Sequence, residues 1–234
     1  MILSRSTTQF FDRLPGRWPL RSLKAAAAAL VLLALPVSTT ESHAVPTPGA
    51  GGAHVYLLRG VLNIFSLGLD DIAARLEAQG IPVTVINYLS WASLADEAAA
   101  AYRSGRVKTI ILVGHSSGAT VLPDMVARLS LQGAPVRLAI GLDSVFRTSL
   151  SGHVGRYINY YVGSGNGEPV APTRQLQGSL ENVNVANVPG VGHLTIEKNG
   201  IMQRRVISDI DAVVFGSRPR EVSAAPGPRA IIGR

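Results

Sequence analysis

From His54 onward the chain alternates short apolar runs rich in β-branched residues with longer amphipathic ones, and this alternation narrows the possible folds most. The runs at 54–58, 82–89, 107–113, 136–142, 157–162 and 181–188 read as strands. The segments at about 66–79, 91–103, 117–131 and 200–215 carry helical periodicity. Strands separated by helices call for right-handed crossovers. The expected class is therefore α/β, a mostly parallel sheet of about six strands with helices on both faces.

Composition limits what such a sheet can serve. With 234 residues, 47% hydrophobic and 16% charged, the chain can bury a core, and one domain of catalytic size is expected. The net charge of +7 sits at the ends: residues 1–44 hold five Lys/Arg against two acids, and residues 217–234 hold four against one. The remaining 13 against 12 are nearly balanced, so no basic patch supports a nucleic-acid partner.

The ends read differently from the middle. Arg13, Arg17, Arg21 and Lys24 lead into an apolar run at 25–37, and a polar stretch then ends in Ser42-His43-Ala44. Basic, apolar and small-residue regions in that order predict a signal peptide over 1–44, cleavage before Val45, and export to the periplasm or the medium. The run is short for a permanent bilayer span, so none is expected after cleavage. The absence of cysteine excludes disulfides, a thiolate nucleophile and a lipidated cysteine. A catalytic domain is expected over 45–216, and the Pro/Gly/Arg-rich stretch 217–234 reads as a poorly ordered tail.

The third apolar run stops at Gly114-His115-Ser116-Ser117-Gly118, where a strand gives way to a helix. Two glycines there remove the side chains that would collide with neighbouring elements, so Ser116 can project from a tight turn. The N–H of Ser117, at the start of the helix, can donate to a developing oxyanion. A serine used this way needs a base. His43 lies in the signal segment, His54 opens a strand, His115 adjoins the serine and points away, and His153 falls in a polar loop after the fourth strand. His193 follows the last strand, next to Gly190 and Gly192, where a loop can fold over the C-terminal edge of the sheet, at which open α/β sheets bind ligands. Two acids satisfy the order serine, acid, histidine. Asp143 ends the strand after the nucleophile helix and is preferred. Glu168 lies in a loop beyond the fifth strand and is the alternative.

The elbow at 114–118, Asp143 in Gly-Leu-Asp-Ser and His193 in Gly-Val-Gly-His together resemble the α/β-hydrolase superfamily, especially its small lidless lipases, cutinases and thioesterases. The resemblance spans roughly residues 53–216 and implies a minimal fold with no cap domain. It also implies an oxyanion loop after the first strand, at Arg59-Gly60-Val61, with the Val61 N–H as the second donor beside Ser117. Arg59 stands where that loop usually has histidine. The stretch at 114–126 is also similar to exported, virulence-associated bacterial hydrolase-like proteins, which implies an enzyme acting on envelope lipids.

The expected activity is carboxylic-ester hydrolysis on short-to-medium acyl or lipid esters, with no metal or cofactor. Ser116, His193 and Asp143 are the expected catalytic residues. Leu62, Ile64, Phe65 and Leu67 beside the oxyanion loop suit an acyl chain, although Leu67 is expected to pack its helix on the sheet. An acyl thioesterase with the same three residues, or a non-catalytic binding protein on the same fold, are the alternatives.

Overall fold

The computed structural model describes residues 50–61, 66–165 and 167–216. The expected signal segment with its cleavage point before Val45, the acyl-pocket candidates Leu62, Ile64 and Phe65, and the basic tail lie outside the described residues.

The elements follow the expected alternation: β1 (Ala53–Arg59), α1 (Gly68–Glu77), β2 (Val83–Asn87), α2 (Trp91–Arg103), β3 (Thr109–His115), α3 (Ser117–Leu131), β4 (Val136–Leu142), β5 (Ser149–Tyr161), β6 (Ala171–Asn184) and α4 (Gly200–Val214). Six strands form one sheet in the order β2-β1-β3-β4-β5-β6. Every neighbouring pair is parallel.

Side-chain alternation along the strands sorts the core into two layers. Val55, Leu57, Ile111, Val113, Ile140 and Ile158 face α1 and α4. Tyr56, Leu58, Ile110, Leu112, Ala139 and Tyr157 face α2 and α3. Each helix presents a matching stripe. In α1 it is Leu69, Ile72, Ala73 and Leu76, and in α3 it is Leu122, Met125, Val126 and Leu129. In α2 three of the buried positions are Ala95, Ala98 and Ala99, which lets that helix sit close to the strands. Truncating a fully buried Leu or Ile in either layer to Ala would cost about 2–5 kcal/mol.

Leu67 departs from expectation. It precedes the first residue of α1 and is exposed, because the stripe that meets the sheet begins at Leu69.

The last two strands replace helical crossovers with bent extended chain. The β5–β6 register sets Ala171 beside Ser149 and Asn184 beside Tyr161, yet only residues 162–170 join the strands. A straight return along the 13-residue β5 would need about 40 Å. That exceeds the reach of such a connection. Instead, each strand descends from the C-terminal edge, turns and climbs back. The turns fall at Gly152 (φ +86°) and Gly178 (φ +136°). A Cβ on Gly152 would lie 2.6 Å from Ser130 Oγ, in the last turn of α3. Ala171 N–H meanwhile donates to Thr148 O (3.0 Å), which sets the starts of the two strands side by side.

The expected runs at 157–162 and 181–188 are therefore only the climbing halves, and the sixth ends early, at Asn184. His153, expected in a loop, lies inside β5.

This strand order fixes where a site can form. The chain leaves β1 toward β2 on one side, and β3 lies on the other. A crevice therefore opens where β1 and β3 end, the position at which parallel sheets of this kind take ligands. Gly60 and Ser116 are the residues that follow those two strands.

Candidate active site

Ser116 is the single residue between β3 and α3, and the turn it makes is severe. Its backbone sits at φ 58°, ψ −122°, a conformation that side chains rarely adopt, and its N–H donates to Leu142 O at 3.0 Å. The glycines around it are required by contact. A Cβ on Gly114 would overlap the backbone of Gly118, and one on Gly118 would overlap the Leu58 carbonyl. A Cβ on Gly60 would lie 2.9 Å from Ser116 Cβ. Thus β1, β3 and α3 cross at van der Waals range, and the serine side chain is pushed out of the crossing.

His193 reaches this serine from a long loop after β6. Its Nε2 lies 3.1 Å from Ser116 Oγ and its Nδ1 lies 2.7 Å from Asp143 Oδ2. A carboxylate can only accept, so Nδ1 carries the proton and Nε2 is left bare to accept the serine hydroxyl. The loop is braced internally. Gly192 N–H donates to Thr195 Oγ1 (2.9 Å), Thr195 Oγ1 donates to Gly190 O (2.9 Å), and Asn199 Nδ2 donates to Pro189 O (2.9 Å).

Asp143 follows β4 and is fully buried. Its N–H donates to Tyr160 O (2.8 Å), and its second oxygen accepts the N–H of Val162 at 2.7 Å. Like Ser116 it has positive φ, at 54°, and these two are the only non-glycine residues with positive φ among the described residues. Glu168, the alternative acid, is half-exposed and turned to Arg147 at 3.3 Å, and among the described residues no hydrogen bond or ion pair joins it to His193. The structure thus brings Ser116, His193 and Asp143 together and leaves Glu168 outside.

The expected oxyanion loop lies against the serine. Gly60 N–H is taken by Ser66 Oγ at 3.0 Å. The N–H groups of Val61 and Ser117 make no hydrogen bond among the described residues. Arg59, the departure from the usual histidine, ion-pairs with Asp70 in the first turn of α1 and so ties the loop to that helix.

Of the other histidines, His54 bonds Thr84 Oγ1 at 2.8 Å and stacks on Tyr56, and burial lowers its pKa. His153 lies near the opposite edge, its N–H on Ser130 Oγ. His43 lies outside the described residues.

His115 and Ser66 were not linked by sequence reading. The buried ring of His115 joins Ser66 Oγ at 2.8 Å to the His193 carbonyl at 2.9 Å. The one signal available was its place beside the serine in the elbow, which gives no hint that residues 49 positions earlier and 78 later converge on it.

No family model and no curated protein matches this chain. Among solved structures it is similar to a protein from Xanthomonas campestris pv. campestris described as a hydrolase of the alpha/beta superfamily, at 15% identity and TM-score 0.42, over 68% of this chain and 98% of that one. It is also similar to RedJ, solved with a PEG molecule in its active site, at 15% identity and TM-score 0.43, over 70% and 93% of the two chains. A third similar structure is YbtT, a type II thioesterase from the yersiniabactin pathway, at 10% identity and TM-score 0.43, over 74% and 96%. These likenesses concern the chain path alone, and the reading of the site rests on its own geometry. Six parallel strands in this order, with a strained serine on the turn after β3, give the chain a fold of the α/β-hydrolase type.

Proposed function

We propose that the protein is a serine hydrolase that cleaves carboxylic esters through an acyl-enzyme on Ser116. One observation carries the reading: an unbroken path runs from Asp143 Oδ2 to His193 Nδ1 (2.7 Å) and from His193 Nε2 to Ser116 Oγ (3.1 Å). Backbone strain at both Ser116 and Asp143 supports it, because strained positions persist where the surrounding structure holds them for a task.

In this mechanism Ser116 Oγ attacks the ester carbonyl carbon while His193 Nε2 takes the hydroxyl proton. Negative charge moves onto the carbonyl oxygen, where the N–H groups of Ser117 and Val61 receive it, aided by the positive end of α3. The tetrahedral centre collapses, the bond to the alcohol oxygen breaks, and His193 delivers its proton to the leaving alcohol. Water then repeats the sequence on the acyl-serine and frees the carboxylic acid. Buried Asp143 stabilises the imidazolium in both halves.

Substrate choice follows from what surrounds the serine. Val61, Leu67, Phe146 and Leu194 are exposed large apolar side chains, and they lie near Gly60, Ser66, Asp143 and His193 respectively along the chain. They favour short-to-medium acyl or lipid esters. The proposal includes export, on the basic, apolar and small-residue order of residues 1–44.

A p-nitrophenyl ester series on the purified chain tests the reading. Turnover that peaks at short-to-medium acyl length and disappears in Ser116→Ala supports it, and a maximum on long chains contradicts the substrate class. Export is tested by N-terminal sequencing of the mature protein, which should begin at Val45.

A further inference from the structure

Behind the serine lies a second chain of hydrogen bonds that the acyl-transfer mechanism does not use. Ser66, His115 and Glu197 are all buried there. Gly60 N–H reaches Ser66 Oγ at 3.0 Å, Ser66 Oγ lies 2.8 Å from His115 Nδ1, and His115 Nε2 lies 2.9 Å from the backbone oxygen of His193.

The direction of every bond in this chain is fixed by its ends. A carbonyl oxygen only accepts, so His115 Nε2 carries the hydrogen. Burial pushes the His115 imidazole down to about 4, so the ring is neutral at ordinary pH and its Nδ1 is bare. Ser66 must then donate its hydroxyl hydrogen to Nδ1, which frees the serine oxygen to accept from Gly60. The Glu197 carboxyl, 3.7 Å from Nε2, is too far to replace the His193 carbonyl as acceptor.

The two ends of this chain are the parts of the site that most need holding. Gly60 is a glycine in a loop, with wide backbone freedom, and Val61 follows it directly. Among the described residues, the bond to Ser66 is what sets the Gly60 backbone just before the Val61 N–H. At the other end, the His193 ring is aimed by Asp143 through Nδ1, while among the described residues its backbone oxygen accepts from His115 Nε2.

We propose that Ser66 and His115 are positioning residues that hold the Gly60–Val61 turn and the His193 backbone in register with Ser116, so that their effect falls on the transition state and not on substrate binding. This rests on the hydrolase reading above. Neither residue touches the reacting atoms, so the proposal has to be separated from a purely structural role in the core. The two roles differ in what they change: a core residue alters stability and the fraction of active protein, whereas a positioning residue alters kcat per active site.

The test compares the wild type with Ser66→Ala, Ser66→Thr and His115→Phe on a p-nitrophenyl ester, with active sites titrated by a fluorophosphonate. Ser66→Ala and His115→Phe should lower kcat per titrated site by about tenfold or more, with KM within about threefold. Ser66→Thr, which keeps the hydroxyl, should recover most of that loss. Unchanged kcat per titrated site in Ser66→Ala, with only a lower Tm, overturns the inference and leaves the hydrolase reading standing. A wild type that neither labels nor turns over removes both.

Should the variants fail to fold, nitrogen-15 NMR of the wild-type imidazoles decides the matter. A neutral His115 with its proton on Nε2 at pH 6 is required, and a proton on Nδ1 or an imidazolium at that pH overturns the relay.

Discussion

Gly167 is packed directly onto the carboxylate of Asp143. A Cβ at Gly167 would overlap Asp143 Oδ1 and lie 2.7 Å from Val162 N, the same N–H that Oδ1 accepts. Gly167→Ala should therefore turn the carboxylate away from His193 without removing any catalytic group. The expected result is a fall in kcat of about tenfold or more, with slower fluorophosphonate labelling of Ser116. Wild-type kinetics in a folded Gly167→Ala protein would show that the Asp143 geometry is not needed.

Asp143 and Glu168 separate cleanly by environment. One is fully buried on His193, and the other is half-exposed beside Arg147. Asp143→Asn should lower kcat by on the order of 10³–10⁴, because the amide no longer enforces the tautomer with a bare Nε2. Glu168→Gln should stay within about twofold, since an exposed ion pair contributes little. Steady-state kinetics of the two variants side by side check this, and comparable losses in both would contradict it.

Much of this architecture could be read from the sequence, for identifiable reasons. Helices α2 and α3 carry strong apolar stripes, and their ends fall where the periodicity predicts. Ser116 was legible because two glycines and a strand-to-helix change leave one geometry for the turn. The descending arms of β5 and β6 were not legible. They lie at the end of the sheet, β6 is largely exposed, and residues such as Thr173, Arg174 and Gln175 carry no apolar alternation. Ser66 and His115 escaped for a different reason: a hydrogen bond between distant residues leaves no periodic trace. Leu67 was misplaced because the start of a helical stripe cannot be told from the residue just before it.

The bends in β5 and β6 give a stability prediction. Gly178 has φ +136°, and a Cβ there would overlap the Val154 carbonyl. Gly105 has φ +76° but faces open space. Gly105→Ala should cost only about 1 kcal/mol of strain, and Gly178→Ala about 3 kcal/mol or more, because strain and backbone overlap add. Urea unfolding of both variants measures the difference. Equal costs would mean that β6 does not make this turn.

His115 and Glu197 make opposed contributions to the acid response of folding, with His193, Asp143 and Lys198 as the other titratable groups around them. His115 titrates at about 4 when folded, against 6.5 for a freely solvated histidine side chain. Between those values the unfolded chain binds the proton that the folded chain refuses, so this contribution is whole above pH 6.5 and fades as pH falls toward 4, by on the order of 3 kcal/mol in all. Glu197 acts in the opposite sense. Burial raises its pKa, so the folded chain keeps a proton that the unfolded chain releases, and stability falls as pH rises through that range. Glu197→Gln should be more stable than the wild type at about pH 7 and should lose more on acidification to about pH 4. Denaturant unfolding at both pH values checks this, and parallel pH curves for the two proteins would contradict it.

Covalent labelling tests most directly the central claim, that Ser116 is a nucleophile activated by His193. The folded chain is treated with a fluorophosphonate, digested and mapped by mass spectrometry, with Ser116→Ala and His193→Ala alongside. A single adduct on Ser116, absent from Ser116→Ala and strongly slowed in His193→Ala, is the predicted result. A wild-type chain that takes no label, or takes it on another residue, would contradict the account.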